Sequence, residues 1–186
     1  MYKLVFSLLV FFSIQMMAQS TVKKEEISYQ SGSIHLAASI LLPQSPKKLP
    51  TAVIVHGSGS SDRSNPWTTA YANALSDRGI IVLHPDKRGS GESSGDWETA
   101  SMEDLAYDAI AAVDYLLTRS EVDTSKIALI GFSQGGHVLP IAATVSNDID
   151  LLISISSSVV SLREQTIDEV VKAALREGVS QKKCKQ

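Results

Sequence analysis

Gly131-Phe132-Ser133-Gln134-Gly135 constrains this chain more than any other segment. It has the form G-x-S-x-G, a pattern that suits a sharp turn between a strand and a helix. A serine that exposes its hydroxyl on such a turn takes a cramped backbone conformation. The residues two before and two after it then sit too close to carry side chains, so glycine fills both places. The helix that follows aims its first N–H groups at the space in front of the hydroxyl, where negative charge would develop during attack on an acyl carbon. The flanks agree with this reading. Residues 127–130 (Ile-Ala-Leu-Ile) form a short apolar run of strand length, and 136–145 is a small-residue and apolar stretch of helical length. The alternative is a plain tight turn with an ordinary polar serine.

The rest of the chain supplies the frame. Residues 25–29 and 34–42 read as two strands joined by a turn at Ser31-Gly32-Ser33, and 43–50 as a polar, proline-containing connector. Residues 52–55 and 80–83 are continuous apolar runs of the kind buried on both faces of a parallel sheet. A helix is expected over 66–78, with Pro66 at a permitted first position and Gly79 as its stop. A long amphipathic helix is expected over 102–119, where Leu105, Ile110, Val113, Leu116 and Leu117 recur at helical spacing. A further strand over 151–155 and a helix over 164–177 follow. Strands alternating with helices predict an α/β fold with a mostly parallel sheet and helices on both faces. Ligands in such sheets bind beyond the carboxyl ends of the strands. Ser133, His56-Gly57-Ser58-Gly59 and Asp86-Lys87-Arg88-Gly89 each follow one of these strands, so three segments are expected on one rim.

Composition narrows the function. With 186 residues and a net charge of −3, the chain is long enough for one domain with a real core and has no basic stripe suited to nucleic acid. No set of His, Cys or carboxylate residues has metal-ligand spacing, and the glycine-rich segments lack the lysine-serine ending of a phosphate loop, so neither metal nor cofactor is expected. Residues 1–19 read as a secretory signal peptide: Lys3 gives a positive start, 4–14 is apolar apart from Ser7 and Ser13, and Ala18 offers a small residue before a cut ahead of Gln19. Export to the periplasm or medium is the expectation, with no stable membrane span after cleavage; an uncleaved anchor helix is the alternative. The single cysteine, Cys184, has no partner for an internal disulfide.

Three motifs together resemble the N-terminal part of an α/β-hydrolase, in particular the secreted bacterial esterase and serine-aminopeptidase-like branch. They are His56-Gly57-Ser58-Gly59, Asp86-Lys87-Arg88-Gly89-Ser90-Gly91-Glu92-Ser93, and the segment around Ser133. The resemblance runs over about 25–158. It implies that Ser133 is a nucleophile and that the N–H groups of Gln134 and Ser58 form an oxyanion hole, with Gly57 and Gly59 allowing close approach of the substrate. It implies a loop-supporting role for His56, rather than that of catalytic base, and structural roles for Gly131 and Gly135. For Asp86 and Arg88 two readings stand: Arg88 contacts substrate, or the segment braces its loop through charge pairs and glycine turns. In such hydrolases a carboxylate and then a histidine follow the serine. Here the only later histidine is His137, one helical turn from Ser133, and the later aspartates are Asp148, Asp150 and Asp168. The expectation is therefore an N-terminal piece of a hydrolase, C-terminally incomplete: 20–160 the core, 161–186 the opening of a cap and a charged tail, with no acid or histidine to complete the serine. The substrate class would be a small-molecule ester or peptide. A serine aminopeptidase and a non-catalytic pseudohydrolase are the alternatives. A sheet that ends early leaves one edge bare, so self-association through it is expected.

Overall fold

The computed structural model describes residues 21–158 and 160–179. The leader at 1–19 and Cys184 lie outside them. Among the described residues, six strands and four helices follow one another as β1 (Val22–Ser31), β2 (Ile34–Pro43), β3 (Leu49–Val55), α1 (Pro66–Ser76), β4 (Ile81–Pro85), α2 (Met102–Leu117), β5 (Val122–Phe132), α3 (Gly135–Val145), β6 (Leu151–Ile155) and α4 (Leu162–Arg176). The strands form one sheet in the order β1-β2-β4-β3-β5-β6. β1 and β2 make an antiparallel hairpin turned by Gly32 at a φ of +58°. β2 lies antiparallel to β4, and β4, β3, β5 and β6 are parallel to one another.

The expected α/β fold with a mostly parallel sheet is thus present, and the structure adds an antiparallel hairpin at one edge. Several bounds move, each for a physical reason. β5 begins at Val122, five residues ahead of the apolar run, through the polar and mostly exposed stretch 123–126. β3 begins at Leu49 and carries Pro50 inside it, beside a register irregularity between Leu49 and Thr51. A proline donates no ladder bond, so it is tolerated where the ladder is interrupted. The strand expected over 151–155 is present and forms the sheet edge, with four of its five residues exposed.

α1 packs on one face of the sheet against β4 and β2, where Ala72 meets Leu41, Ile54 and Val82. α2 and α3 cover the other face, and Leu105, Val113, Leu116, Val138 and Leu139 join Val53, Leu83 and Leu129 in the larger core. The helix starts are locally encoded. The Asn65 side chain accepts the Trp67 and Thr68 N–H groups ahead of Pro66, and Ser101 and Asp104 cap α2 reciprocally. From β3 the chain crosses by α1 to β4 on one side and then by α2 to β5 on the other. The order therefore reverses around β3, and the carboxyl ends of β3 and β5 flank the crevice in which such sheets place ligands.

Candidate active site

The elbow stands at that crevice. Ser133 has a φ of +49°, in the left-handed region that few non-glycine residues occupy. Its N–H donates to the Ile155 carbonyl at 2.9 Å, and its own carbonyl accepts from the Gly136 N–H at 2.9 Å and the Ser157 hydroxyl at 2.6 Å. The two flanking glycines are sterically required. A Cβ on Gly131 would stand 2.5 Å from the carbonyl carbon of Gly135, and one on Gly135 would collide with the carbonyls of Val55 and His56 at the end of β3. A Cβ on Gly57 would meet the Phe132 carbonyl at 3.2 Å and the Ser133 Cβ at 3.4 Å. The loop after β3 thus abuts the serine directly.

The Ser133 side is open. Ser133 and Ser58 are exposed, and with Gly57, Trp67, Tyr71 and Phe132 they line a cavity of about 350 Å³. Tyr71 and Phe132 meet edge to face, 5.0 Å between ring centres. Among the described residues, neither the Gln134 N–H nor the N–H groups of Gly57, Ser58, Gly59 and Ser60 find an acceptor. Among the described residues, unpaired N–H groups are therefore present both in the loop that abuts Ser133 and at the residue directly after it.

The other residues singled out by sequence turn inward and brace this rim. His56 is buried, with Nε2 donating to the Pro85 carbonyl at 2.7 Å and Nδ1 accepting from the Ser61 hydroxyl at 2.9 Å. Burial pushes its pKa down, so the ring is a neutral strut whose two nitrogens are both occupied. Ser61 is held in turn by Asn65, the residue that caps α1. The buried Asp86 carboxylate accepts the N–H groups of Arg63 and Glu92, each at 2.9 Å, and pairs with the Arg63 guanidinium at 3.1 Å. Of the two readings of Arg88, the geometry carries the bracing one. Nε and Nη2 each reach Asp108 on α2 at 2.7 Å, Nη2 also reaches the Asp104 carbonyl, and Arg88 does not line the cavity around Ser133. His84, within β4 itself, is buried against the Thr68 hydroxyl at 2.9 Å, and desolvation brings its pKa down to about 3.

No described residue hydrogen-bonds the Ser133 hydroxyl. His137 points elsewhere: its Nε2 meets the Ser158 hydroxyl at 3.2 Å, which bonds on to Gln165 of α4. Within the 86–93 motif, Lys87 has no role of its own by sequence. Its ammonium reaches the carbonyls of Gly57 and Gly59 and the side chain of Gln134, joining the loop after β3 to the elbow. The available signal was its place directly after Asp86 at the end of a buried strand. Trp67 and Tyr71, read only as parts of a helix, form one wall of the cavity.

This arrangement has known counterparts. A match to the family described as X-Pro dipeptidyl-peptidase (S15 family) spans residues 31–171, most of the chain. The chain belongs to that family of α/β-hydrolases. Esterase EstD of Thermotoga maritima is 32% identical over 110 residues, which cover 56% of this chain and 26% of EstD. The quorum-quenching protein AidA of Acinetobacter baumannii is 29% identical over 133 residues, covering 70% of this chain and 42% of AidA. The Pyrococcus furiosus esterase PF2001 superposes with a TM-score of 0.67 at 22% identity, covering 84% of this chain and 56% of that one, a likeness of fold. The S15-family domain seen here therefore spans well under two thirds of the length of these relatives. No described helix is long and apolar enough to cross a membrane.

Proposed function

We propose that this chain carries the nucleophile and oxyanion half of a serine hydrolase acting on carboxylic esters. The observation that carries the reading is the Ser133 elbow: a strained, exposed serine that abuts the 56–59 loop, with unpaired N–H groups on either side. In the mechanism, the Ser133 Oγ adds to the acyl carbon and the carbonyl oxygen takes up negative charge. The N–H groups of Ser58 and Gln134 stabilise that charge, and each such donor is worth about 3–4 kcal/mol in comparable sites. Collapse of the tetrahedral species expels the alcohol and leaves an acyl-enzyme, which water then hydrolyses.

A serine needs a base to take its proton. No described histidine touches Ser133, so the reading assigns the acid and the base to no described residue and gives this chain alone no turnover. α4 is read as the first helix of a cap, residues 1–19 as an export signal, and the bare β6 edge as a surface for self-association. EstD among the relatives supports an ester substrate. The peptidase description of the family favours a second reading, amide hydrolysis through the same serine.

A fluorophosphonate probe with peptide mapping tests the proposal. Slow, stoichiometric labelling at Ser133, absent in Ser133→Ala and without sustained release of p-nitrophenol from a p-nitrophenyl ester, is expected. Labelling no faster than at surface serines would refute the nucleophile. Steady ester turnover that Ser133→Ala abolishes would refute the missing base.

A further inference from the structure

The Lys87 ammonium holds three oxygens from two separate segments. Nζ donates to the Gly57 carbonyl at 2.8 Å, to the Gly59 carbonyl at 3.2 Å and to Gln134 Oε1 at 3.1 Å. The residue is only 7% exposed, and Nζ lies 5.8 Å from the centre of the Trp97 ring. No carboxylate among the described residues pairs with it. Asp86, its neighbour, is taken by Arg63, and Asp108 on α2 is taken by Arg88.

We infer that Lys87 is the positioning residue of the oxyanion hole: its ammonium fixes the 57–58 peptide so that the Ser58 N–H faces Ser133, and it ties the Gln134 side chain to the same point. The inference rests on the reading of Ser58 and Gln134 as oxyanion donors. Its physical basis is the planar peptide unit. The Gly57 C=O and the Ser58 N–H belong to one trans peptide and point in opposite directions. Drawing the oxygen inward onto Lys87 therefore turns the N–H outward, toward the cavity that Ser58 shares with Ser133. The loop has little stiffness of its own to do this, since glycines stand at 57 and 59 and Gly59 sits at a φ of +79° in open space. Gln134, the first residue past the serine, is held by the same ammonium, so loop and elbow share one anchor.

Stability alone gives no reason for a cation here. Desolvation lowers the Lys87 pKa to about 8, which marks the charged form as disfavoured by its surroundings. Of the groups around it, Tyr29 on β1, His56 after β3 and Asp108 on α2 line a cavity of about 40 Å³ together with Lys87. Burial holds His56 neutral and keeps the Tyr29 phenol protonated. Near pH 8 the ammonium is thus the group in this cluster whose charge changes.

The test is a nitrogen-15 NMR titration of the full chain from pH 6 to 10, following the backbone amides of Ser58 and Gln134 and the Gln134 side-chain amide. A shared step near pH 8 is expected in the wild type. In Lys87→Met it should vanish, with the resonances near their high-pH wild-type positions. Lys87→Arg, which keeps the charge, should hold the low-pH positions throughout. Ser58 and Gln134 resonances that keep their wild-type low-pH positions in Lys87→Met, or a step that survives in Lys87→Met, overturn the inference. Should Lys87→Met fail to fold, the wild type and Lys87→Arg decide it. Fluorophosphonate labelling gives a second readout, with a fall of about tenfold or more in Lys87→Met and substantial recovery in Lys87→Arg. Equal labelling of Lys87→Met and wild type counts against Lys87. Absence of labelling in the wild type counts against the nucleophile, and the titration then still decides the role of Lys87.

Discussion

The two flanks of β5 are built to different standards. On the β3 side, contact is tight and the buried side chains are paired, while the N–H groups of the 57–60 loop stay free among the described residues. Gly131 lies against Gly135, Gly57 lies against Ser133, and the buried charges of Asp86 and Arg88 each have a partner. On the β6 side, the backbone ladder is made but the side chains have little to rest on. Leu151 is 54% exposed, Leu152 and Ile153 are also exposed, and α4 shows Ile167, Val170 and Leu175 to solvent. Both flanks nevertheless hold Ser133, since Ile155 and Ser157 bond its backbone from the β6 side. The difference teaches that the elbow and its loop are shaped from within the described sheet, while the apolar surface beyond β5 is left unspent.

Gly131→Ala drives a Cβ to 2.5 Å from backbone atoms that cannot yield cheaply, and a loss of about 3 kcal/mol or more is expected in denaturant unfolding. Gly32→Ala in the hairpin meets nothing within 4 Å, and its φ of +58° alone limits the cost to about 1 kcal/mol. Equal losses at the two sites would erase the contrast between tight rim and open edge. Arg88→Ala leaves Asp108 without its partner at 13% side-chain exposure, and a loss approaching about 3 kcal/mol is expected in the same experiment. On α4, breaking the exposed Lys172–Asp168 pair with Lys172→Ala should change stability by less than about 0.5 kcal/mol.

Acid titration sharpens the contrast further. His84 is held neutral in the fold, with its pKa lowered from 6.5 to about 3. Between those values the unfolded chain binds a proton that the folded chain refuses. The stability associated with His84 is therefore complete above pH 6.5 and is lost as pH falls toward 3. Unfolding curves at pH 7 and pH 4.5 should show wild type losing more stability on acidification than His84→Gln; an equal loss would place the acid sensitivity elsewhere. The smallest effect is expected at the edge. Leu151→Lys should move unfolding by less than about 0.5 kcal/mol while shifting sedimentation toward the monomer. A wild type that is already monomeric would remove the case for pairing through β6.

Much of this was legible in the sequence because it is local. Apolar runs announced the inner strands, glycine spacing announced the elbow, and Pro66 with Gly79 bounded α1. The first half of β5 was hidden because residues 123–126 are polar, and only the pairing of Val122 with Leu49 shows the strand reaching that far. The exposure of β6 could not be read from its apolar run, which reports what its side chains prefer and not whether a neighbour is present to cover them. Arg88 had two readings until Asp108, twenty residues on, was placed beside it. Lys87 was invisible for the same reason, since its three acceptors are joined only in three dimensions.

A structure of the phosphonylated protein tests the central claim most directly. The account predicts a covalent bond from Ser133 Oγ to phosphorus, with the phosphoryl oxygen within about 3 Å of both the Ser58 and the Gln134 nitrogens. An adduct whose phosphoryl oxygen turns to solvent, or whose phosphorus sits on a different residue, would contradict it.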